Sequence, residues 1–507
     1  MWIKENMVFI VSLVMVGFVI TFGVASPKEF DFISSMIHEG ILDYFSWGYT
    51  VAPFIFLVFS LVLAFSKYGS TKLGKDSEKP QYSYFAWFSM LFAAGMGIGL
   101  VFWSVSEPLM HYANPPAGIA GSSAESARFA MKHVFFHWGL QPWAIYVVMS
   151  LAIAYFCFRR GMPTLISSAL YPLLGDRIHG FWGQAVDILA VFAVVFGIAT
   201  SLGLGTMQIS SGLAYVFPSI QDTQITWFAI IAVVTVMYMI SAMRGLDRGI
   251  QVLSRANIGV AATLLLAMLF IGPTTFILNV LITTLGDYFS SLLSMSLNAN
   301  PYEGYRWTKN WTLFFWATWI SWAPFVGLFV ASISRGRTIR EFVLGALLVP
   351  SLLTFIWFAV FGGAAFDLQL NQGYEIAAET AQNVSTGLFS VFAYFPASWL
   401  LTGVALLLLT IFFVTSADSS TLVLAMMTSR GDLTPPTYRK FVWGILQSSV
   451  AAILLASGGL DALRKMAISS ALPFTLIMLV LCYSLLKALR YEYTHERKLA
   501  NYSDLQD

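Results

Sequence analysis

Apolar runs of about 20 residues, enough for a helix to cross a ~30 Å hydrocarbon layer, recur along this chain with short polar breaks between them. Twelve such runs can be placed, at 7–25, 48–66, 84–105, 134–157, 183–205, 226–243, 257–280, 309–333, 342–366, 397–417, 439–457 and 467–489. The pattern predicts an all-α integral membrane protein with twelve transmembrane helices. One further stretch has a different period. In residues 281–299, Leu285, Tyr288, Phe289, Leu292, Leu293 and Ser296 recur near i, i+3, i+4, i+7 and i+8. That spacing predicts an amphipathic helix lying along the outer surface.

Composition agrees with the membrane reading. The chain is 58% hydrophobic and only 11% charged, against about 25% charged for ordinary soluble domains. The first run is taken as a retained span, because its flank "MWIKEN" is barely basic and "VASPKEF" is a poor cleavage site. Cys157 and Cys482 fall within or at the ends of predicted helices, with no spacing that suggests a disulfide framework or a metal site. The net charge of +2 gives no argument for nucleic acid. Its distribution says more. Of 28 Lys and Arg, 21 fall on the side of the two termini and seven on the other. By the positive-inside rule both termini face the cytoplasm of a cell-membrane protein.

Pairing the spans suggests an internal symmetry. Span three and span eight, five apart, enter the membrane from opposite sides, so 84–280 and 309–490 read as two five-helix repeats of inverted orientation. Residues 1–83 then hold two peripheral helices and a cytoplasmic linker, 281–308 the surface helix and a loop, and 491–507 a short cytoplasmic tail. Both lead spans carry helix breakers, the glycines of "AAGMGIG" (93–99) in one and Pro324 in the other. Interrupted spans at corresponding positions point to a transporter's binding site.

The glycines admit more than one reading. A dinucleotide fingerprint lacks the strand and helix context it needs. Gly95 and Gly99 form a GxxxG face that suits close helix packing. Alternatively Gly95, Gly97 and Gly99 unwind the span and turn freed carbonyls toward a cavity, the one place irregular backbone is tolerated at membrane depth. Aromatic residues favour the last. In "HWGLQPWAIY", Trp138, Trp143 and Tyr146 fall within about 140° of arc on one helix at ~100° per residue. In span eight, Trp311, Phe315, Trp319 and Trp322 fall within roughly 80°, with Phe325 next to Trp322. An interfacial belt explains Trp311. It does not explain Trp319 and Trp322, about 12–16 Å into the span at ~1.5 Å per residue. Deep indoles suit a quaternary ammonium, which cannot donate hydrogen bonds and is held by aromatic faces; aromatic core packing is the alternative.

No Asp or Glu falls at mid-depth to neutralise such a cation. The six histidines, His38, His111, His133, His137, His179 and His495, read as loop or helix-end residues, and His133 with His137 lacks the Glu of a zincin motif. An enzyme is therefore not expected. Thr415 and Ser416 in "FFVTSADSS", and Thr200 and Ser201 in "FGIATSLGLG", offer hydroxyls for a small hard cation or for bonds to their own preceding turn. Asp418 reads as a structural residue at a helix end.

"AAGMGIGLVFWSVSEP", "HWGLQPWAIY", "WISWAPFVGLFVASISRGRTIREF" and "FFVTSADSS" together resemble the betaine/choline/carnitine transporter family over nearly the whole chain. The resemblance implies two peripheral helices before a ten-helix, LeuT-like inverted-repeat core, and a homotrimer joined through the amphipathic helix. It implies a cage of Trp138, Trp143, Tyr146 and Trp319, with Trp322 and Phe325 on the cytoplasmic pathway. Backbone carbonyls of Ala93 and Met96 and hydroxyls of Thr415 and Ser416 would hold one sodium, and Thr200 would lie near a second. Glycine-betaine carriers often have a Trp-Trp pair where this chain has Thr318–Trp319, a departure that bears on the cytoplasmic-side aromatic count and the substrate range. Choline-selective relatives tend to carry Asp where Gly99 stands, so a zwitterion fits better. Sodium-independent carnitine antiporters carry a basic side chain in span five, and residues 178–243 contain no Lys or Arg. Sodium symport of glycine betaine is the resulting expectation, with sodium the coupling ion and no other cofactor. Choline, carnitine or dimethylsulfoniopropionate are alternative cargoes of the same family, and a channel is a distant one. The tail at 491–507 leads us to expect weak activation by osmotic stress through that segment.

Overall fold

A computed structural model describes residues 6–95, 97–244, 247–302 and 306–503. Among them there is no strand, only an isolated bridge between Lys72 and Thr338. The main helices are α1 (Met7–Ala25), α2 (Pro27–Phe65), α3 (Tyr84–Gly95), α4 (Ile98–Ala113), α5 (Ala124–Trp138), α6 (Leu140–Ile153) and α7 (Phe181–Val216). They continue with α8 (Gln224–Arg244), α9 (Asp247–Ile271), α10 (Thr274–Ser296), α11 (Thr312–Ile333), α12 (Ile339–Phe366), α13 (Ser398–Met427) and α14 (Thr437–Ser503). Among the described residues, ten helices are long and apolar enough to cross a membrane, with α5 and α6 taken as one across Gly139. The protein is a multi-pass, all-helical membrane protein.

All twelve apolar runs fall on helix, but not as twelve separate rods. The third is split between α3 and α4, neither of which is long enough alone. The seventh is a shorter apolar helix that stops at Ile271, because Pro273 has no N–H to continue it. The surface helix expected at 281–299 therefore begins at Thr274, and it is itself apolar enough to count among the ten. The eleventh and twelfth runs lie on one helix bent at Gly459, whose φ of 56° and ψ of −130° suit a residue without Cβ.

Burial separates centre from periphery. The most apolar window of α1 is 22% buried and that of α10 17%, against 94% for Ala124–Arg159 and 83% for α7. α7 packs along α14, α13, α11 and α4, and α11 packs on α6 and α14. α1 and α2 lie against α14, and α10 lies against α5 and α12. α10 buries Ile277, Thr284, Tyr288 and Met295 along one face, while Leu278, Ile282, Phe289 and Leu293 remain exposed. The functional interest is thus at the centre, where α4, α6, α7, α11 and α13 meet.

Candidate substrate site

The span expected to unwind in 93–99 does so: α3 ends at Gly95, α4 starts at Ile98, and Gly97 between them is extended (φ −148°, ψ −178°). A Cβ built on Gly97 would meet nothing within 4 Å, and one on Gly99 would lie 3.3 Å from Cη2 of Trp138. The bare backbone of the break therefore sits beside a cage indole. Ala93 lies on α3; Met96 is outside the described residues.

A second break was not expected. The chain leaves helical geometry at Gly139 (φ −96°, ψ −133°), so Trp138 ends α5 while Trp143 and Tyr146 lie on α6. The single-helix arc assumed for these three does not apply. They are brought together nonetheless, because a Cβ at Gly139 would strike Phe355 at 2.7 Å and only glycine lets the chain turn there. Trp319 of α11 lies 5.3 Å from Trp138 at 80° and 5.2 Å from Tyr146 at 63° between ring centroids and planes. Trp143 lies 5.6 Å from Tyr146 at 86°. Edge-to-face pairs of this kind contribute about 0.5–1.5 kcal/mol beyond their buried area. Phe315 and Phe358, 5.6 and 5.2 Å from Trp138, extend the wall. Phe358 had no signal in the sequence, since it stands on α12 far from either motif. The indole nitrogen of Trp143 is buried without a partner among the described residues.

Trp322 and Phe325 form a separate pair 5.5 Å apart, and the Trp322 indole donates to the Gly197 carbonyl of α7 at 2.8 Å. Thr415 is buried and its hydroxyl donates to the Ile411 carbonyl at 2.8 Å, while Ser416 beside it is half-buried. Thr200, fully buried on α7, donates to Phe196 O at 2.9 Å and lies 3.4 Å from Leu463 O of α14. A Cβ on Gly205 would meet Ile98 at 3.0 Å and Phe413 at 3.2 Å, so the start of α4, α7 and the Thr415 region of α13 converge. Asp418 is not at a helix end. α13 runs on to Met427, and Asp418 is buried within it, accepting the Ser241 hydroxyl of α8 at 2.6 Å.

One acid, Glu107, reaches a cage ring. α4 continues to Ala113, past the expected end at 105, and carries Glu107 and His111 with it. Glu107, His111 and His137 are all fully buried. Oε2 of Glu107 accepts the Trp138 indole N–H at 2.7 Å, and Oε1 lies 2.7 Å from His137 Nδ1 and 3.2 Å from His111 Nε2. His137 Nε2 lies 3.0 Å from the Thr312 hydroxyl, and the His137 carbonyl accepts the Trp319 indole N–H at 3.1 Å. His111 and His137, read as loop or helix-end residues, stand in the last turns of α4 and α5 and support the cage from there. An i, i+4 pairing of Glu107 with His111 was the available signal, hidden because the run of serines and acid ended the apolar count early.

Beyond this cluster, Trp311 and Trp307 pack on His111 at 4.5 and 4.9 Å. The Arg464 guanidinium lies 4.8 Å over Trp311. Trp311, assigned to an interfacial belt, is 8% exposed and belongs to this stack. The two tryptophans also line a cavity of about 570 Å³ shared with Asn114, Asn300, Arg306 and Asn310.

A family model described as betaine/carnitine/choline family transporter matches residues 7–494. The chain is 45% identical over 488 residues to the glycine betaine transporter OpuD of Bacillus subtilis, covering 96% of this chain and 94% of that one. It is 44% identical to a probable glycine betaine transporter of Desulfitobacterium hafniense, covering 97% and 98%. An ectoine/hydroxyectoine transporter of Virgibacillus pantothenticus is 42% identical, covering 96% of each.

Proposed function

The chain belongs to the betaine/carnitine/choline transporter family, and on that premise we propose that it imports glycine betaine by sodium symport. It is a transporter and not an enzyme. The observation that carries the substrate is the contact of Trp138, Tyr146 and Trp319 beside the open backbone at Gly97 and Gly99. Indole and phenol faces attract a trimethylammonium by about 2 kcal/mol or more per desolvated contact. The substrate's carboxylate would meet the start of α4, where the first backbone N–H groups have no helical partner and the helix dipole favours an anion. A zwitterion fits a site with rings at one end and a helix N-terminus at the other.

Sodium would be held by the Ala93 and Met96 carbonyls with Thr415 and Ser416, and a second ion near Thr200. The convergence of Ile98, Gly205 and Phe413 supports that placement, since an ion there would tie the break to α13. Substrate and ion would then be exposed alternately to the two sides by rocking of two inverted repeats, 84–280 and 309–490, within twelve spans with both termini cytoplasmic. The exposed Leu278, Ile282, Phe289 and Leu293 of α10 suit the contact of a homotrimer. A second reading, carriage of ectoine or hydroxyectoine, is favoured by the Virgibacillus relative. The test is uptake of radiolabelled glycine betaine, ectoine, choline and carnitine into liposomes, each with and without an inward sodium gradient. Saturable, sodium-dependent uptake of glycine betaine is expected; uptake indifferent to sodium, or confined to another solute, would replace this reading.

A further inference from the structure

Three indole N–H groups near the site have acceptors, and they differ in kind. Trp319 donates to the carbonyl of His137 at 3.1 Å, and Trp322 to the carbonyl of Gly197 at 2.8 Å. Trp138 alone of the three donates to a carboxyl group, Glu107 Oε2 at 2.7 Å. An indole N–H donates and never accepts, so Oε2 is the acceptor wherever the cluster keeps its protons. Glu107 is fully buried and belongs to α4, the half-helix that starts at the break. Its other oxygen is occupied by His137 and His111.

This arrangement has an electronic consequence. The attraction of a ring for a cation comes from negative charge on the ring face. Hydrogen bonds inside a dry, low-dielectric site polarise one another, and those to a charged acceptor are the stronger kind. An acceptor drawing on the indole N–H pushes electron density onto the ring, and the more strongly it accepts the more it pushes.

We propose that Glu107 is the positioning and polarising residue of the substrate cage, orienting the Trp138 ring and strengthening its hold on a quaternary ammonium through the indole N–H. This rests on the reading of Trp138 as part of an onium site. The same carboxyl group meets the His137 imidazole, whereas Trp319 donates to the His137 backbone carbonyl, so the effect of Glu107 is confined to Trp138.

The test is a double-mutant cycle in proteoliposomes, measuring KM and kcat for glycine betaine, with thermal unfolding as the check on folding. Glu107→Gln is expected to raise KM about five- to ten-fold with kcat little changed. In a Trp138→Phe background, which has no N–H to polarise, the same substitution should add less than about two-fold. In a Trp319→Phe background it should keep its full effect. Should Glu107→Gln fail to fold, benzothienylalanine introduced at 138 by nonsense suppression keeps the bicyclic ring and removes the donor while Glu107 stays. It should raise KM by a similar factor, and by less when introduced at 319. An unchanged KM in either experiment, or an undiminished Glu107 effect without Trp138, overturns the proposal. Glycine-betaine uptake that tolerates Trp138→Leu, which offers no ring face, would instead show that the onium reading of this ring is wrong, and the role of Glu107 would fall with it.

Discussion

On one side of the ring cage lies a buried polar cluster, and on the other the connecting loops are tied by charged groups. Toward the end of α4 and the start of α11, Glu107, His111 and His137 are fully buried under Trp307 and Trp311. At the opposite ends of α3, α6 and α11, the connecting loops are tied by charge. Arg335 bonds Glu78 at 2.7 Å, Arg159 bonds Asp76 at 2.7 Å, and Arg159 also pairs with Glu492 from the end of α14. Arg337 lies 4.0 Å over Trp87 and 4.6 Å over Tyr84. Exposed pairs contribute about 0–1 kcal/mol each and weaken with salt. A buried group stripped of its partner costs about 1–3 kcal/mol whatever the salt. The buried cluster should therefore answer to packing, and the exposed pairs Arg335–Glu78 and Arg159–Asp76 to ionic strength.

The largest expected effect lies between them. Trp319→Leu should abolish glycine-betaine uptake while circular dichroism and thermal unfolding stay near wild type, because the leucine keeps apolar volume but offers no ring face. Next comes the dry side: His137→Ala removes the partner of both Glu107 and Thr312 and should lower stability by about 1–3 kcal/mol. That loss should be the same in low and high salt when followed by thermal unfolding. Thr415→Ala tests the ion separately from the rings. It should raise the sodium concentration for half-maximal uptake several-fold and leave substrate affinity at saturating sodium nearly unchanged.

The smallest effect belongs to the charged side. Glu78→Gln should cost at most about 1 kcal/mol, a cost that fades at high ionic strength. The hydrogen bond from Arg335 holds Glu78 below its ordinary value. Because the folded-state value is depressed, the stabilisation is present at neutral pH and is lost as pH falls through the carboxylate range. Equal salt dependence of the His137→Ala and Glu78→Gln variants would erase the distinction between the two sides.

Much of this was legible in the sequence for a simple reason. Apolar run length is local, so the helices could be read directly; the cage of Trp138, Trp143, Tyr146 and Trp319 came from the resemblance, because the spacing that groups three of them on one helix is broken at Gly139. The glycine break was legible because three glycines in five residues weaken a helix wherever it sits. What escaped notice depended on partners distant in sequence. Glu107 looked like a polar end to span three, because nothing in "SVSEPLMHYA" shows that His137 and Trp138 wait to receive it. Gly139 looked like one more residue of a helix, because the Phe355 ring that occupies its missing Cβ stands more than two hundred residues away. Asp418 was misplaced for the same reason, its partner Ser241 lying on another span. The ion-site residues remain a matter of chemistry and resemblance, since Met96 lies outside the described residues.

The glycines of α7 have a mechanical consequence. A methyl group on Gly197 would collide with Ser321 at 2.8 Å, on Gly203 with Leu463 at 2.5 Å, on Gly205 with Ile98 at 3.0 Å, and on Gly212 with Phe389 at 2.5 Å. Each absent side chain faces a different neighbour, so this one rod has a peg removed at four separate points of contact. Restoring a single peg should jam whichever neighbour it meets, and four separate brakes can be fitted to the same shaft.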